Sequence, residues 1–413
     1  MVARLGSVTI PSSPDPTASS NPQSERPPSL PEEVHWVGSP QELTALGPLF
    51  AAAPWLAFDT ESNSMYVYRE RVCLIQVNAG GTLVIIDPFA LEQGRGALGT
   101  LEQALENPEI PVYLHGGEYD CVVMNRDYGL EISAVFDSQQ AASLLGWRKT
   151  GYGAVVEEVL GISLPKGHSD YDWGCRPLDA EALDYAIDDV RHLPAVVDHL
   201  RQLLQEADLE EEAAIANQAV AMVRAREPGF DPQGLWRLKG ISEVPNHRLP
   251  IAMALYQWRD DLAKAHNRPP GRVLPNDLIL ALARSAPTNF GQLRRLKLRS
   301  AWLRDYGEDI INTVKSAQQQ PPEIPEAPAR RDIDPQERER EQALKAWRRN
   351  EAERRGVTTQ AVLPARALDY LKRLGAADLS AVPQLGEKRI KLYGDVLRRL
   401  SGSAKAGPGP KNS

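Results

Sequence analysis

Asp59 and Glu61 stand two apart at the end of an apolar run, Trp55 to Phe58. In a β-strand that spacing puts both carboxylates on one face. Asp120 follows a second strand-like run, Val112 to His115, and Asp189 lies on a helical stretch where Tyr185, four residues earlier, shares its face. The adjacent Asp188 is rotated about 100° away and reads as a bystander. Carboxylates converging from one sheet and its helices, without His or Cys, select hard cations such as Mg²⁺ or Mn²⁺. Two such ions about 3.5 to 4 Å apart activate a water and stabilise the leaving oxygen of a phosphodiester. Tyr185 would orient that water, since a phenol with an ordinary pKa of about 10 is a poor base unaided. Spacing alone does not single these acids out: Asp-x-Glu recurs at 179 and 208, and Tyr-x-x-x-Asp at 256. Their places at strand ends and on an amphipathic helix do.

The elements that must position them can be read in order. Pro40 to Leu49 reads as a short helix, and strands follow at Trp55 to Phe58, Val72 to Val77 and Leu83 to Ile86, the last reached through Ala79-Gly80-Gly81. Short connections make this start antiparallel. A helix at Leu98 to Leu105, a strand at Val112 to His115, a helix at Tyr119 to Tyr128, a strand at Val135-Phe136 and a helix at Ser138 to Leu145 come next. Together they predict a mixed sheet flanked by helices. Asp179 caps the helix of Leu183, Ala186, Ile187, Val190 and Leu193, and a long acidic helical stretch is expected over Glu206 to Arg226.

Beyond Glu227-Pro228-Gly229 the pattern is helical and repeats. Trp258-Arg259 precedes Val273-Leu274-Pro275 by the interval that separates Trp347-Arg348 from Val362-Leu363-Pro364, and each copy reaches Tyr-Gly, at 306 and 393. Two related modules follow, joined by a Gln- and Pro-rich linker. The boundaries drawn are a Ser/Pro-rich tail at 1–34, an α/β domain at 35–228, helical modules at 229–317 and 335–402 around a linker at 318–334, and a flexible basic end at 403–413.

The net charge of -8 conceals an asymmetry: residues 51–205 carry 23 Asp+Glu against 10 Lys+Arg, whereas residues 341–413 carry 7 against 15. Such a chain offers an acidic front to cations and a basic back to a polyanion. Within the modules, Arg294, Arg295, Lys297 and Arg299, and then Arg348, Arg349, Lys388, Arg389 and Lys391, are the candidate phosphate contacts. No apolar stretch approaches the roughly 20 residues of a membrane span. Three scattered cysteines form no CxxC pair and suit a reducing cytoplasm.

These residues carry a family resemblance. Asp59-Thr60-Glu61, His115-Gly116-Gly117-Glu118-Tyr119-Asp120 and Tyr185-Ala186-Ile187-Asp188-Asp189 resemble the three exonuclease motifs of the DEDD superfamily, in the branch with tyrosine in the third. Leu74-Ile75-Gln76, Phe136-Asp137-Ser138-Gln139, Asp172-Trp173 and Arg176-Pro177-Leu178 bring the chain closer to bacterial ribonuclease D, and the repeated modules resemble HRDC domains. The resemblance implies a ribonuclease-H-like α/β exonuclease domain followed by two all-α HRDC-like domains. It also implies an enzyme that binds two divalent ions, Mg²⁺ or Mn²⁺, and trims RNA such as tRNA precursors from the 3′ end, releasing nucleoside 5′-monophosphates; a cytoplasmic monomer is expected. Asp59, Glu61, Asp120 and Asp189 would be metal ligands and Tyr185 would place the water. His115, Phe58, Met65 and Tyr66 are candidate contacts to the terminal nucleotide. Lys166, Trp173 and Arg176 read as framework. A DNA exonuclease and a non-catalytic RNA-binding scaffold are the competing readings.

Overall fold

The computed structural model describes residues 25–402, except 166, 168–169, 226–228, 297, 299 and 330–333. Most of the Ser/Pro-rich tail, Lys166, the first domain boundary, Lys297, Arg299 and the basic end lie outside the described residues.

The α/β part is built on six strands, β1 (His35–Val37), β2 (Leu56–Ser62), β3 (Val72–Ala79), β4 (Thr82–Ile86), β5 (Val112–Leu114) and β6 (Val135–Asp137). Their order is β1-β4-β3-β2-β5-β6. The β2-β3-β4 meander is antiparallel, with a short turn between β3 and β4 and a longer loop between β2 and β3, while β1 joins β4, β5 joins β2 and β6 joins β5 in parallel. The first strand is not among those read from sequence. Alternation divides the sheet: Leu56, Phe58, Ile75, Val77 and Val112 pack on one face, and Ala57, Leu74 and Tyr113 face the other.

Helices cover both faces. On the first lie α1 (Pro40–Ala45), α2 (Gly47–Ala52), α3 (Thr100–Glu106) and α4 (Glu118–Tyr128). On the second lie α5 (Ser138–Leu144), α6 (Tyr152–Leu160), α7 (Ala180–Arg191), α8 (Leu193–Glu206) and α9 (Glu210–Ala221). The single helix expected near Pro40 is broken at Leu46, and the acidic helix expected over Glu206 to Arg226 is broken by a turn in which Asp208 takes a φ of 52°.

The first helical module comprises α10 (Leu249–Ala265), α11 (Pro270–Val273), α12 (Asn276–Ser285), α13 (Phe290–Arg294) and α14 (Ser300–Gln319). The second comprises α15 (Pro335–Arg355), α16 (Thr359–Val362), α17 (Ala365–Leu374) and α18 (Glu387–Ser401). The repeat seen in sequence has a common geometry. Leu274 and Leu363 end α11 and α16 with φ/ψ of -146°/111° and -149°/107°, and Pro275 and Pro364 then start α12 and α17 at -57°/150° and -57°/152°. Trp258 meets Tyr306 edge-on at 76° and Trp347 meets Tyr393 at 75°.

The second module is fastened to α9. Lys388 Nζ lies 3.1 Å from Glu212 and 3.0 Å from Asp208, and the Lys388 N–H donates to Glu211 at 2.9 Å. Gly386, at φ 78°, sits so close that a Cβ there would meet Ile215 Cδ1 at 2.4 Å and Glu211 Oε1 at 2.5 Å. Gly386→Ala, strained at this φ and obliged to push aside two side-chain tips, should loosen the dock at a cost of about 1–3 kcal/mol. Limited proteolysis should then cut between the two parts faster than in the wild type, and an unchanged digestion rate would refute the dock.

Candidate active site

Three elements deliver the acids. Strand β2 carries Asp59 and Glu61 on the face turned toward α7, and a register shift at Glu61/Ser62 marks a bulge where the strand leaves the sheet. At the start of α4, Gly117 is required because a Cβ would meet Leu114 at 2.4 Å, and Gly116 takes a φ of 68°. Asp137 holds this turn by accepting the N–H groups of Gly116 at 3.2 Å and Gly117 at 2.8 Å. Asp120, one turn into α4, is thereby aimed at β2. On α7, Ala182, Leu183, Ala186, Ile187 and Val190 are buried against the sheet, leaving Tyr185 and Asp189 at the edge.

Oxygens of Asp59, Glu61 and Asp189 lie within 4.8 Å of one another. Asp120 stands beside this group, outside that radius, with its carboxylate accepting from Thr60 Oγ1 at 2.6 Å. All four acids, with Thr60, His115, Gly116, Tyr119, Tyr152 and Tyr185, line one cavity of about 290 Å³. Asp188 points away and pairs with Arg191 at 3.2 Å, as its helical phase requires.

Burial, reinforced by the neighbouring carboxylates, holds every one of these acids above its ordinary range. Asp59 is raised well above it, chiefly by burial and then by Asp120, Asp189 and Glu61. Burial, Asp189 and Asp120 push Glu61 to about 9. Burial, Asp188 and Asp120 push Asp189 to about 7. Asp120 rises only to about 6, since the Thr60 hydrogen bond opposes the burial that raises it. Burial first, then Asp189, Glu61 and Asp59, also raises the Tyr185 phenol, which stays protonated at neutral pH. An oxygen-only donor set whose charges repel one another fits a hard divalent cation, which would relieve that repulsion.

A pH prediction follows. The folded state holds more protons than the unfolded chain between the ordinary 4.5 and about 9 for Glu61. The cluster's contribution to stability is thus present at low pH and lost as pH rises through that window. In chelator the melting temperature should fall from pH 6 to pH 9 by more than that of an Asp59→Asn/Glu61→Gln variant, and Mn²⁺ should flatten the wild-type curve. Parallel curves for the two proteins would refute the coupling.

Other sequence-derived candidates are placed differently. His115 lines the cavity and pairs through Nδ1 with Ser138 Oγ at 2.8 Å. Phe58 is 1% exposed and packs in the core, and it also lines the cavity beside Asp59. Met65 is exposed. Tyr66 donates to the carbonyl of Asp170 and lies under the Arg272 guanidinium. Trp173, 2% exposed, packs against Tyr185 with ring centroids 6.2 Å apart. Arg176 grips Asp87 at 2.8 and 2.9 Å and the Cys73 carbonyl at 2.7 Å.

Arg294, Arg295, Arg349 and Lys391 are exposed, while three other basic candidates are bonded within the protein. Arg389 is 1% exposed and donates to the carbonyls of Ala361, Gln384, Leu385 and Gln360. Lys388 belongs to the α9 dock, and Arg348 donates to the Thr359 carbonyl at 2.7 Å. Thr60, Tyr119 and Tyr152 line the cavity without having been singled out from sequence. Thr60 and Tyr119 each sit next to a candidate acid, a signal that was available. Tyr152, whose hydroxyl donates to the Asp188 carbonyl at 3.0 Å, offered none.

Known proteins resemble this chain over most of its length. A family model described as 3′-5′ exonuclease matches residues 34–205, and the HRDC domain model matches residues 248–314. Ribonuclease D of Shewanella sp. (strain ANA-3) is 32% identical over 292 residues, covering 70% of this chain and 74% of that protein. Ribonuclease D of Jannaschia sp. (strain CCS1) is 29% identical over 381 residues, covering 89% of this chain and 95% of its own. The crystal structure of Escherichia coli RNase D shares the fold, with a TM-score of 0.66 at 24% identity over 89% of this chain and 98% of that one. Likeness of that extent places the chain in a family, and the chain belongs to ribonuclease D.

Proposed function

We propose that this chain is a metal-dependent 3′ to 5′ exoribonuclease that trims structured RNA such as tRNA precursors, acting as a cytoplasmic monomer and releasing nucleoside 5′-monophosphates. The observation that carries this reading is the meeting of Asp59, Glu61 and Asp189 within 4.8 Å, with Asp120 beside them. Asp59, Glu61, Asp189 and Asp120 would hold two divalent ions, Mg²⁺ or Mn²⁺. Such ions supply charge for acidifying a water and for stabilising the leaving oxygen. Tyr185 shares the cavity with the acids and keeps its proton, so its hydroxyl orients the attacking water by hydrogen bonding and does not act as its base. His115 and Tyr119 form the wall against which the terminal nucleotide is seated.

The helical modules hold the body of the RNA. Exposed Arg294 and Arg295 on the first, and Arg349 and Lys391 on the second, are the phosphate contacts. The shared turn at Leu274 and Leu363 and the matching Trp–Tyr pairs support reading the second module as HRDC-like too.

Digestion of a 5′-labelled single-stranded RNA and its DNA counterpart, with Mg²⁺, with Mn²⁺ and with chelator, tests the proposal. A metal-dependent ladder shortening from the 3′ end, faster on RNA, is expected. Faster shortening of the DNA would replace it with a repair-type exonuclease, and no shortening of either would leave a binding scaffold.

A further inference from the structure

The loop between β2 and β3, residues 63–71, begins two residues after Glu61 and is held from two sides. On the cavity side, Tyr119 Oη lies 2.6 Å from Ser62 Oγ and donates to Glu70 at 2.6 Å, and Arg126 grips Glu70 at 2.6 Å. On the far side, the loop is held by the first helical module, nearly two hundred residues away in the chain. Tyr68 Oη donates to Asp260 of α10 at 2.7 Å, and the Tyr68 N–H donates to Asn267 at 3.2 Å. Asn267, in the turn after α10, takes a φ of 46°, and Arg272 of α11 lies over the Tyr66 ring at 5.4 Å. Three consecutive segments of the module thus converge on Tyr66 and Tyr68.

Resting on the exonucleolytic reading above, we infer that Asp260 and Asn267 are positioning residues for the reaction: the first helical module holds loop 63–71, and through it Glu61, in the geometry that the chemistry needs. The module then has a task in the nuclease itself, separate from any grip on RNA. The chain supports this at each link. Glu61, paired with Leu74, is the last residue before the register shift, and Ser62 beyond it pairs with Val72 at the mouth of the loop, so the Glu61 carboxylate is placed by the loop as well as by the ladder. The loop has its own internal brace, in which Arg71 N–H donates to Asn63 Oδ1 at 3.0 Å and Tyr66 N–H to the Asn63 carbonyl at 2.9 Å. Movement at Tyr68 is therefore passed to its ends. Burial and the adjacent Asp260 raise the Tyr68 phenol to about 12, so it remains a donor throughout the working range. Small displacements of groups around reacting atoms are costly, about 10²-fold for 1 Å.

The test uses the full chain and two substrates: a diribonucleotide, which occupies only the cavity, and a long structured RNA. Asp260→Ala and Tyr68→Phe should each lower kcat on the diribonucleotide about tenfold, and the double variant should lose no more than either single one, because one contact is broken in all three. Asp260→Asn keeps an oxygen that accepts from Tyr68 and should restore kcat to near the wild-type value. The Mn²⁺ concentration needed for half-maximal thermal stabilisation should rise in Asp260→Ala, a readout independent of turnover. Normal diribonucleotide cleavage by Asp260→Ala, with weakened binding of the long RNA, would overturn the proposal and leave the module an RNA grip alone. Equal losses in Asp260→Asn and Asp260→Ala would also overturn it. A wild type that cleaves neither substrate would refute the exonuclease reading itself, which these variants leave separate.

Discussion

Asp189→Asn should abolish 3′ trimming and, in the same protein, raise the melting temperature measured in chelator. The two effects share one cause. Asp189 is pushed to about 7 by burial and by Asp188 and Asp120, so above that pH its charge is held against resistance. The neutral amide removes the resistance and with it the ability to hold a cation. Loss of several kcal/mol of metal assistance corresponds to a drop of about 10³-fold or more in kcat. Relief of the repulsion is worth on the order of 1 kcal/mol in the metal-free state, roughly 2–4 °C in a domain of this size. Mn²⁺ should then raise the melting temperature less than in the wild type. Trimming within tenfold of the wild type would remove Asp189 from the machinery.

Tyr185→Phe should lower kcat by about 10²-fold while leaving metal-dependent stabilisation intact, because a water misplaced by about 1 Å costs about that much. The ring packs against Trp173 and keeps that packing in the variant, so the fold should be unaffected. In the metal-free protein, burial and three carboxylates hold the phenol above its ordinary range. The comparison is single-turnover cleavage across pH with a Mn²⁺ titration by thermal shift. Wild-type kcat in the variant would reduce Tyr185 to a packing residue.

Much of this was legible in one sequence because the informative signals are local. Apolar runs ending in acids located β2 and the start of α4, and helical phase separated Asp189 from Asp188. Residue type then named the chemistry, since four carboxylates without nitrogen or sulfur suit few ions. What escaped depends on partners distant in the chain. The extent to which Phe58 is covered by the core, at 1% exposure, depends on helices far along the chain. Arg389 looked like a surface cation until it reached the carbonyls of α16 and its surroundings. The turn at Asp208 that breaks the acidic helix is an unfavourable φ for a non-glycine, held where Lys388 bonds to Asp208. No local pattern announces a contact such as Tyr68 with Asp260, made across 192 residues.

Folding also changes what the basic end of the chain is worth as a polyelectrolyte. Residues 341–413 carry 15 Lys+Arg against 7 Asp+Glu, an excess of eight. A cation already bonded to Glu212, as Lys388 is, or spent on carbonyls, as Arg389 is, displaces no counterion from RNA when the two associate. The ionic-strength dependence of binding would then report on the cations that remain outward, fewer than a count along the chain suggests.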